Sequence, residues 1–535
     1  MTILNMTRNG LIVILMLFAL VTACKKEEQP LPQHGTGLHD DIPFTPKEPT
    51  SVSTTENASV SQQPDIVKPP EKMRFEPIRQ PGGPLKLAMQ QREQNGYKPG
   101  DDFTLDQAIE MGQLLRKEWP QLPPLDEQSL RRQKIRVIKG KHLTLCTDLP
   151  PSEEIDRLPE IFDLAVPKYC RFFGVDVQHC NDWHMQGFLI DDLEKFRAAD
   201  LIGPFPTHLN GFSVDDRLWV REQKSDYFRR HLLLHEGVHG FMNYVFGTCG
   251  PVWYMEATAE YLGTHRWENN QLELGTTPQN TQETPGWQRI ELVKRDVTTG
   301  KMKSVDQVMR YSGRFFESPT DYAWVWAFAT LLDNHPQYKD AFRDAARWLT
   351  FPDFSNRFYV RLADHWPTLQ VEWFCFIDEL TYGYDVSHMT IDTNPGETLA
   401  ESTTKIFDVD AACGWQNSGV KLEAGVTHRL TANGRYQLGD DPKPWFAEPN
   451  GVTIRYHKGN PIGLLIGAVV SDELFDAKAD QSGISPDNVP FLTPIVIGPN
   501  IEWTPEQSGT LYLRVNDSPA DLHDNQGTCR VGIAR

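Results

Sequence analysis

The chain has 535 residues, 39 % of them hydrophobic and 23 % charged, and a formal net charge of −19. That length admits two or three domains with ample cores, and 72 acidic against 53 basic residues argue against nucleic acid as a partner. The acidity is spread along the chain rather than gathered in one tail, so it speaks for solubility and not for any substrate.

Residues 1–24 read as a targeting segment. Arg8 gives a weakly positive start, and the apolar run Leu11–Leu20 is too short to span a bilayer comfortably. Val21-Thr22-Ala23-Cys24 then resembles a bacterial lipobox, which implies a lipoprotein signal peptide with lipid attached to Cys24. The alternative is an ordinary secretory signal cleaved near Ala23. Lys25 and Lys26 follow, and by the same resemblance they favour outer-membrane sorting. Either way the mature protein is expected outside the cytoplasm, held to the cell envelope of a bacterium. Residues 25–95 are rich in Pro, Ser, Thr, Gln and Glu with almost no apolar periodicity, so they are expected to be a disordered tether.

Globular patterning begins near residue 96. Thr104–Trp119 has helical spacing after a Thr104 or Asp101 cap. Ile135–Ile138 and His142–Thr147 read as strands, Glu154–Phe173 as a long helical pattern, and Trp183–Ile190 as a strand leading into Asp191–Ala199. Gly211–Ser213 and Arg217–Glu222 form an expected strand pair.

The stretch Arg230-His231-Leu232-Leu233-Leu234-His235-Glu236-Gly237-Val238-His239 contains H-E-x-x-H. On a helix, positions i and i+4 share a face, so His235 and His239 point at one ion while Glu236 lies beside it, where a base takes a proton from water. Phe228, Leu232, Leu234, Val238, Phe241, Met242 and Val245 give the segment a buried helical face. Gly237 within it is a poor helix former. A zinc hydrolase needs a third protein ligand and one open position. The downstream run Trp253-Tyr254-Met255-Glu256-Ala257-Thr258-Ala259-Glu260-Tyr261 offers one.

Together these motifs resemble those of the gluzincin metallopeptidases, whose second helix carries a W-x-x-E-G-x-A-E-Y-like run; here Ala257 stands where glycine is usual. The resemblance implies a zinc site of His235, His239 and Glu256, with Glu260 one turn on and orienting a ligand histidine. The short spacing between the motifs leaves Glu260 as the alternative ligand. It also implies an edge strand that binds extended substrate, a place Leu218-Trp219-Val220 fits by position; a plain core strand is the other reading.

After a polar loop over Gly275–Pro285, helical patterns resume to about Tyr384. Tyr322 opens a mostly apolar helix, and by resemblance to gluzincin aminopeptidases its phenol would donate to the oxyanion. The bland reading is a capped core helix, and Tyr311 and His265 are further candidates. The implied mechanism has Glu236 as the base toward a zinc-activated water attacking a peptide or protein substrate. The G-x-M-E-N pattern that seats a free amino terminus in related aminopeptidases is missing; the nearby stretch is Asn210-Gly211-Phe212-Ser213-Val214, which points to an endopeptidase.

Between Val386 and Pro395 helical spacing stops. Residues 396–535 alternate short apolar runs with Gly, Asn, Asp and Pro, as an all-β sandwich does; Val452–Tyr456 and Leu511–Val515 are clear strands. Asn516-Asp517-Ser518-Pro519-Ala520-Asp521-Leu522-His523-Asp524-Asn525-Gln526-Gly527 resembles the calcium loop of LecA-type galactose-binding lectins, and Gly434–Gly439, Lys443-Pro444-Trp445 and Gly463-Leu464-Leu465 agree in order. That likeness implies calcium held by side chains of Asp517, Asp524 and Asn525, with backbone carbonyls of Asp521 and Leu438, and a glycan as partner. Otherwise the loop is a turn of a structural sandwich.

The expected whole is therefore α+β: a metallopeptidase-like domain over 96–385, with a small sheet and a helical subdomain, then a lectin-like sandwich over 396–535. Beside Cys24 stand seven cysteines, an odd number; Cys170 with Cys180 and Cys413 with Cys529 are the preferred disulfides. An inactive binding or scaffold lipoprotein with the same fold, and a zinc hydrolase of another bond, are the competing functions.

Overall fold

The computed structural model describes residue 90 and residues 102–535, apart from 118, 120, 121, 312–317, 441–442 and 477–483. The expected signal peptide, the Cys24 anchor and the tether over 25–95, save Gln90, lie outside the described residues. No described helix is long and apolar enough to cross a membrane.

Helix α1 (Leu105–Arg116) opens on a capping box, the Thr104 hydroxyl accepting from the Gln107 backbone N–H while the Gln107 side chain accepts from that of Thr104. A five-stranded sheet follows, built from β1 (Arg136–Lys139), β2 (Leu143–Thr147), β3 (Met185–Ile190), β4 (Gly211–Val214) and β5 (Arg217–Arg221). Its order is β1-β2-β3-β5-β4, with β2, β3 and β5 parallel and the two outer pairs antiparallel. The helical run expected over Glu154–Phe173 forms in two pieces, a turn over Glu153–Asp156 and then α2 (Leu158–Phe173), parted at Arg157 just before Pro159, whose missing N–H suits the first turn of α2.

The expected substrate edge is corrected here. Leu218, Trp219 and Val220 lie in β5, which is paired on both sides and buried, as a continuous apolar run favours. The open edge beside it is β4.

Helices α3 (Asp226–Phe246) and α4 (Val252–Gly263) pack on one another, followed by a hairpin of β6 (His265–Glu268) and β7 (Gln271–Leu274). Three longer helices, α5 (Arg289–Thr298), α6 (Pro319–Asn334) and α7 (Trp366–Glu379), complete the helical region.

The C-terminal part is all β, as expected. One sheet joins β9 (Gln416–Leu422), β13 (Asn450–His457), β14 (Asn460–Val470) and β16 (Gly509–Val515) in the order β13-β14-β16-β9, with two-residue strands at 397–398 and 495–496. The facing sheet runs β15-β10-β17-β8, from β8 (Thr404–Asp410), β10 (His428–Asn433), β15 (Asn500–Trp503) and β17 (Thr528–Ala534). A hairpin of β11 (Tyr436–Gly439) and β12 (Trp445–Ala447) lies beside them.

Every residue of β16 is buried, which a sheet facing water on one side does not allow. Leu511, Leu513 and Val515 fill the sandwich interior, while Tyr512 belongs to the core of the helical region together with Leu464, Ile466, Ala468 and Val470 of β14. The composition change near residue 390 thus marks a change of architecture within one continuous apolar core, and the helical region and the sandwich form part of one compact unit.

Candidate metal centre and calcium loop

Helix α3 starts where the Ser225 hydroxyl accepts the Phe228 N–H, and ends at Gly247 in the left-handed region, φ 72°. Gly237 has a packing reason that offsets its poor propensity: a Cβ there would stand 2.6 Å from the Phe162 ring of α2. Bringing α2 that close buries the whole H-E-x-x-H turn. His235, Glu236 and His239 keep 5, 5 and 8 % of their surface.

The two Nε2 atoms of His235 and His239 face each other at 3.1 Å, and Glu256 Oε2 of α4 lies 3.2 Å from the first and 3.6 Å from the second. Zinc–ligand bonds of about 2.0–2.1 Å give a tetrahedron with edges of about 3.3 Å, which these three separations match. Glu256 Oε2 is buried without a hydrogen bond of its own among the described residues, a costly state for a carboxylate that a cation relieves. The donor set therefore fits a tetrahedral zinc site with one position left for water or substrate.

The choice between Glu256 and Glu260 is resolved by their neighbours. Glu260, buried on the same face one turn later, meets His235 on the other ring nitrogen, Nδ1, at 3.3 Å. It also accepts two bonds from Arg289 of α5, Nε at 2.8 Å and Nη2 at 3.1 Å. A carboxylate on Nδ1 fixes the tautomer that leaves Nε2 free for a metal. His231, one turn before His235, also reaches Glu260 at 3.5 Å. His231, His235 and Glu260 make a second cluster of metal-binding residue types, but the Arg289 guanidinium already supplies its cation. Neither His231 nor Arg289 was assigned from the sequence. The spacing of His231, four residues before His235, was the available signal; Arg289 left none.

The two carboxylates draw positive charge to this place. Burial alone would lower His235, yet Glu256 and Glu260 outweigh it and push the ring up to about 10. Burial raises Glu236, as a base that must take and release a proton requires. Burial, opposed by Arg289 and His231, leaves Glu260 well below the usual carboxylate range.

Edge strand β4 runs past the base. Ser213 favours the ionised Glu236 carboxyl against the burial that raises it, and a Cβ on Gly211 would stand 2.4 Å from Glu236 Oε1, so a side chain there would push the carboxylate aside. Tyr322, in the first turn of α6, places its ring centroid 6.1 Å from that of His235. Burial and the carboxylates of Glu256, Glu260 and Glu236 push its phenol up, so it stays a neutral donor. The other two candidates have neighbours of their own: the Lys303 ammonium lies 5.1 Å from the Tyr311 ring, and His265 stacks on Tyr227 at 4.5 Å with Nδ1 on Gly263 O.

In the sandwich, Asp517 and Asn525 come together, Asn525 Nδ2 donating to Asp517 Oδ2 at 3.1 Å and to Ala411 O at 3.0 Å. Asn525 Oδ1 and Asp524 Oδ1 are buried acceptors without a partner among the described residues, and burial raises Asp517. Buried oxygens without a hydrogen-bond donor are the kind of group that a hard cation satisfies. The loop also touches the helical region: Asp385 N–H donates to Pro519 O at 3.3 Å, and Ala520 and His523 line a cleft of about 480 Å³ with Arg266, Thr277 and Asp385.

The expected disulfides are not formed; all seven described cysteines are free. Cys170 and Cys180 hold their sulfurs 3.6 Å apart. Cys529 points into the sandwich opposite Val409, whereas Cys413 lies in the turn beyond β8, four residues past that register position.

No protein-family model matches the chain, and no curated protein matches it. Among solved structures it is similar to the EclA N-terminal domain, described as a PllA-like lectin, at 22 % identity over 24 % of this chain and 94 % of that one, with a TM-score of 0.18.

Proposed function

We propose that this protein is a zinc-dependent endopeptidase of gluzincin type, lipid-anchored through Cys24 outside the bacterial cytoplasm, whose C-terminal lectin-like sandwich binds calcium and a glycan surface. One observation carries the catalytic reading: the imidazoles of His235 and His239 and the Glu256 carboxylate converge at 3.1–3.6 Å with Glu236 alongside.

His235, His239 and Glu256 would hold a zinc, which would supply Lewis acidity toward water and the scissile carbonyl. Glu236, its proton affinity raised by burial, takes the proton of the attacking water and passes it to the leaving amine. Glu260 keeps the His235 ring in place through Nδ1, and Arg289 holds Glu260. Tyr322 donates its phenolic proton toward the oxygen on which negative charge develops. Gly211 and Ser213 place the open main-chain edge of β4 against Glu236, where an extended peptide pairs with it.

The test is metal analysis and a general peptide-cleavage assay on the wild type and Glu236→Gln. Retained zinc with cleavage reduced by about 10²–10⁴-fold is expected for loss of a general base. Equal absence of cleavage in both proteins would instead favour an inactive scaffold.

A further inference from the structure

A cleft of about 560 Å³ opens where β4 begins, bordered by His208, Asn210, Arg221, Glu222, Lys224 and Phe228. Two elements connect its lining to the metal centre, β4 through Asn210 and α3 through Phe228. Asn210 precedes Gly211, the residue against Glu236, and its carbonyl accepts the Arg221 N–H at 2.8 Å. Phe228 lies seven residues before His235 on α3, about 10 Å along the helix. The Arg289 guanidinium lies 6.0 Å from the Phe228 ring and 5.8 Å from the Tyr322 ring, so one side chain links the cleft wall to the catalytic face.

The charge of the cleft is opposite to that of the chain. Its one carboxylate, Glu222, is bound by the nearly buried Arg229, which also pairs with Asp226. Arg221 and Lys224 have no carboxylate within 4.0 Å among the described residues; the Arg221 guanidinium touches only Thr207 O, at 3.5 Å. Arg221 is half-buried and Lys224 exposed. In a protein of net charge −19, two uncompensated cations in a concavity beside the base form a local positive field. A planar guanidinium without a carboxylate partner suits one, which it binds through two parallel bonds.

We propose that this cleft is the side-chain subsite of the metal centre and selects peptides carrying a carboxylate side chain, Asp or Glu, beside the bond that is cut. The proposal rests on the peptidase reading for its name as a subsite. Its recognition chemistry belongs to Arg221 and Lys224 and is testable without turnover.

The full chain carrying Glu236→Gln is titrated with pairs of fluorescein-labelled short peptides that differ only by Glu or Gln at one position, and the zinc-loaded wild type is given the same peptides for cleavage mapping. Acidic peptides are expected to bind roughly ten-fold more tightly at low salt, the product of two partly exposed charge contacts worth a few-fold each. The advantage should shrink with added salt as the charges are screened. Arg221→Glu with Lys224→Glu should reverse the preference toward lysine-bearing peptides, and the milder Arg221→Gln with Lys224→Gln should abolish it. Equal binding of Glu and Gln peptides, or a preference unmoved by either pair of substitutions, overturns the proposal. If nothing is cleaved, the peptidase reading fails, while the binding comparison still decides whether the cleft selects carboxylates.

Discussion

Replacing Arg514 by methionine tests whether the sandwich is locked to the helical region by one buried ion pair. Arg514, 1 % exposed at the side chain, donates from Nη1 to both Glu379 oxygens at 2.8 and 2.9 Å and from Nη2 to Asp517 O at 2.7 Å. Burial would raise Glu379, yet Arg514 and His457 hold it down at about 2, against 4.5 when unperturbed. Since the folded value lies below the unfolded one, this stabilisation is fully present above pH 4.5 and is lost as pH falls toward 2. A shift of that size corresponds to about 3 kcal/mol, an upper figure because the Glu379 side chain keeps 12 % of its surface. Arg514→Met leaves the buried carboxylate with only His457 beside it, at 3.4 Å, so it should cost up to about 3 kcal/mol at neutral pH. The cost should shrink as pH falls and Glu379 becomes protonated. Adding Glu379→Gln to Arg514→Met should recover much of the loss. Urea unfolding of the metal-free proteins at pH 7 and pH 4 measures both effects. A penalty equal at the two pH values, or below about 1 kcal/mol at pH 7, would refute the account, because desolvation of an unpaired charge would then not be its origin.

Three further outcomes are expected. Tyr322→Phe should lower kcat by about 10²–10³-fold with little change in KM, as loss of an oxyanion donor does; steady-state kinetics on any cleaved peptide would show it. Glu260→Gln should weaken zinc by about 10–100-fold in a competition titration with a chromophoric chelator, since the ligand itself remains and only its support is lost. Calcium should stabilise the full chain by about 2.7 kcal/mol at a hundred-fold excess over Kd, and Asp517→Asn should remove that gain in thermal unfolding with and without a calcium chelator.

The residues of the candidate metal centre were legible because a helix converts spacing into direction: positions 235, 239 and 236 can be placed on a cylinder without knowing anything else. The third ligand was not legible to the same degree. Glu256 and Glu260 share a face one turn apart, and what separates their roles is Arg289, brought in by a helix that begins some thirty residues on. Of the two readings left open for Leu218-Trp219-Val220, edge or core strand, the fold takes the second, for a reason the sequence did contain. Leu218-Trp219-Val220 is apolar on both faces, the mark of a covered central strand, while Gly211-Phe212-Ser213-Val214 alternates as an edge does.

The same logic applies to the sandwich. Leu511-Tyr512-Leu513-Arg514-Val515 is plainly a strand, but the pattern of period two left open what its second face meets. In the fold that face meets α7, and the one charge in the run becomes the buried contact between them. Because Arg514 touches both Glu379 at the end of α7 and the backbone of Asp517 in the calcium loop, one cation spans two elements. Ordering the loop around a metal therefore acts on the same side chain that fastens the sandwich to the helices. Calcium and the Arg514–Glu379 pair should consequently be coupled: the calcium-dependent gain in stability should differ between wild type and Arg514→Met by more than the error of the unfolding measurement, whereas independent elements would give additive changes.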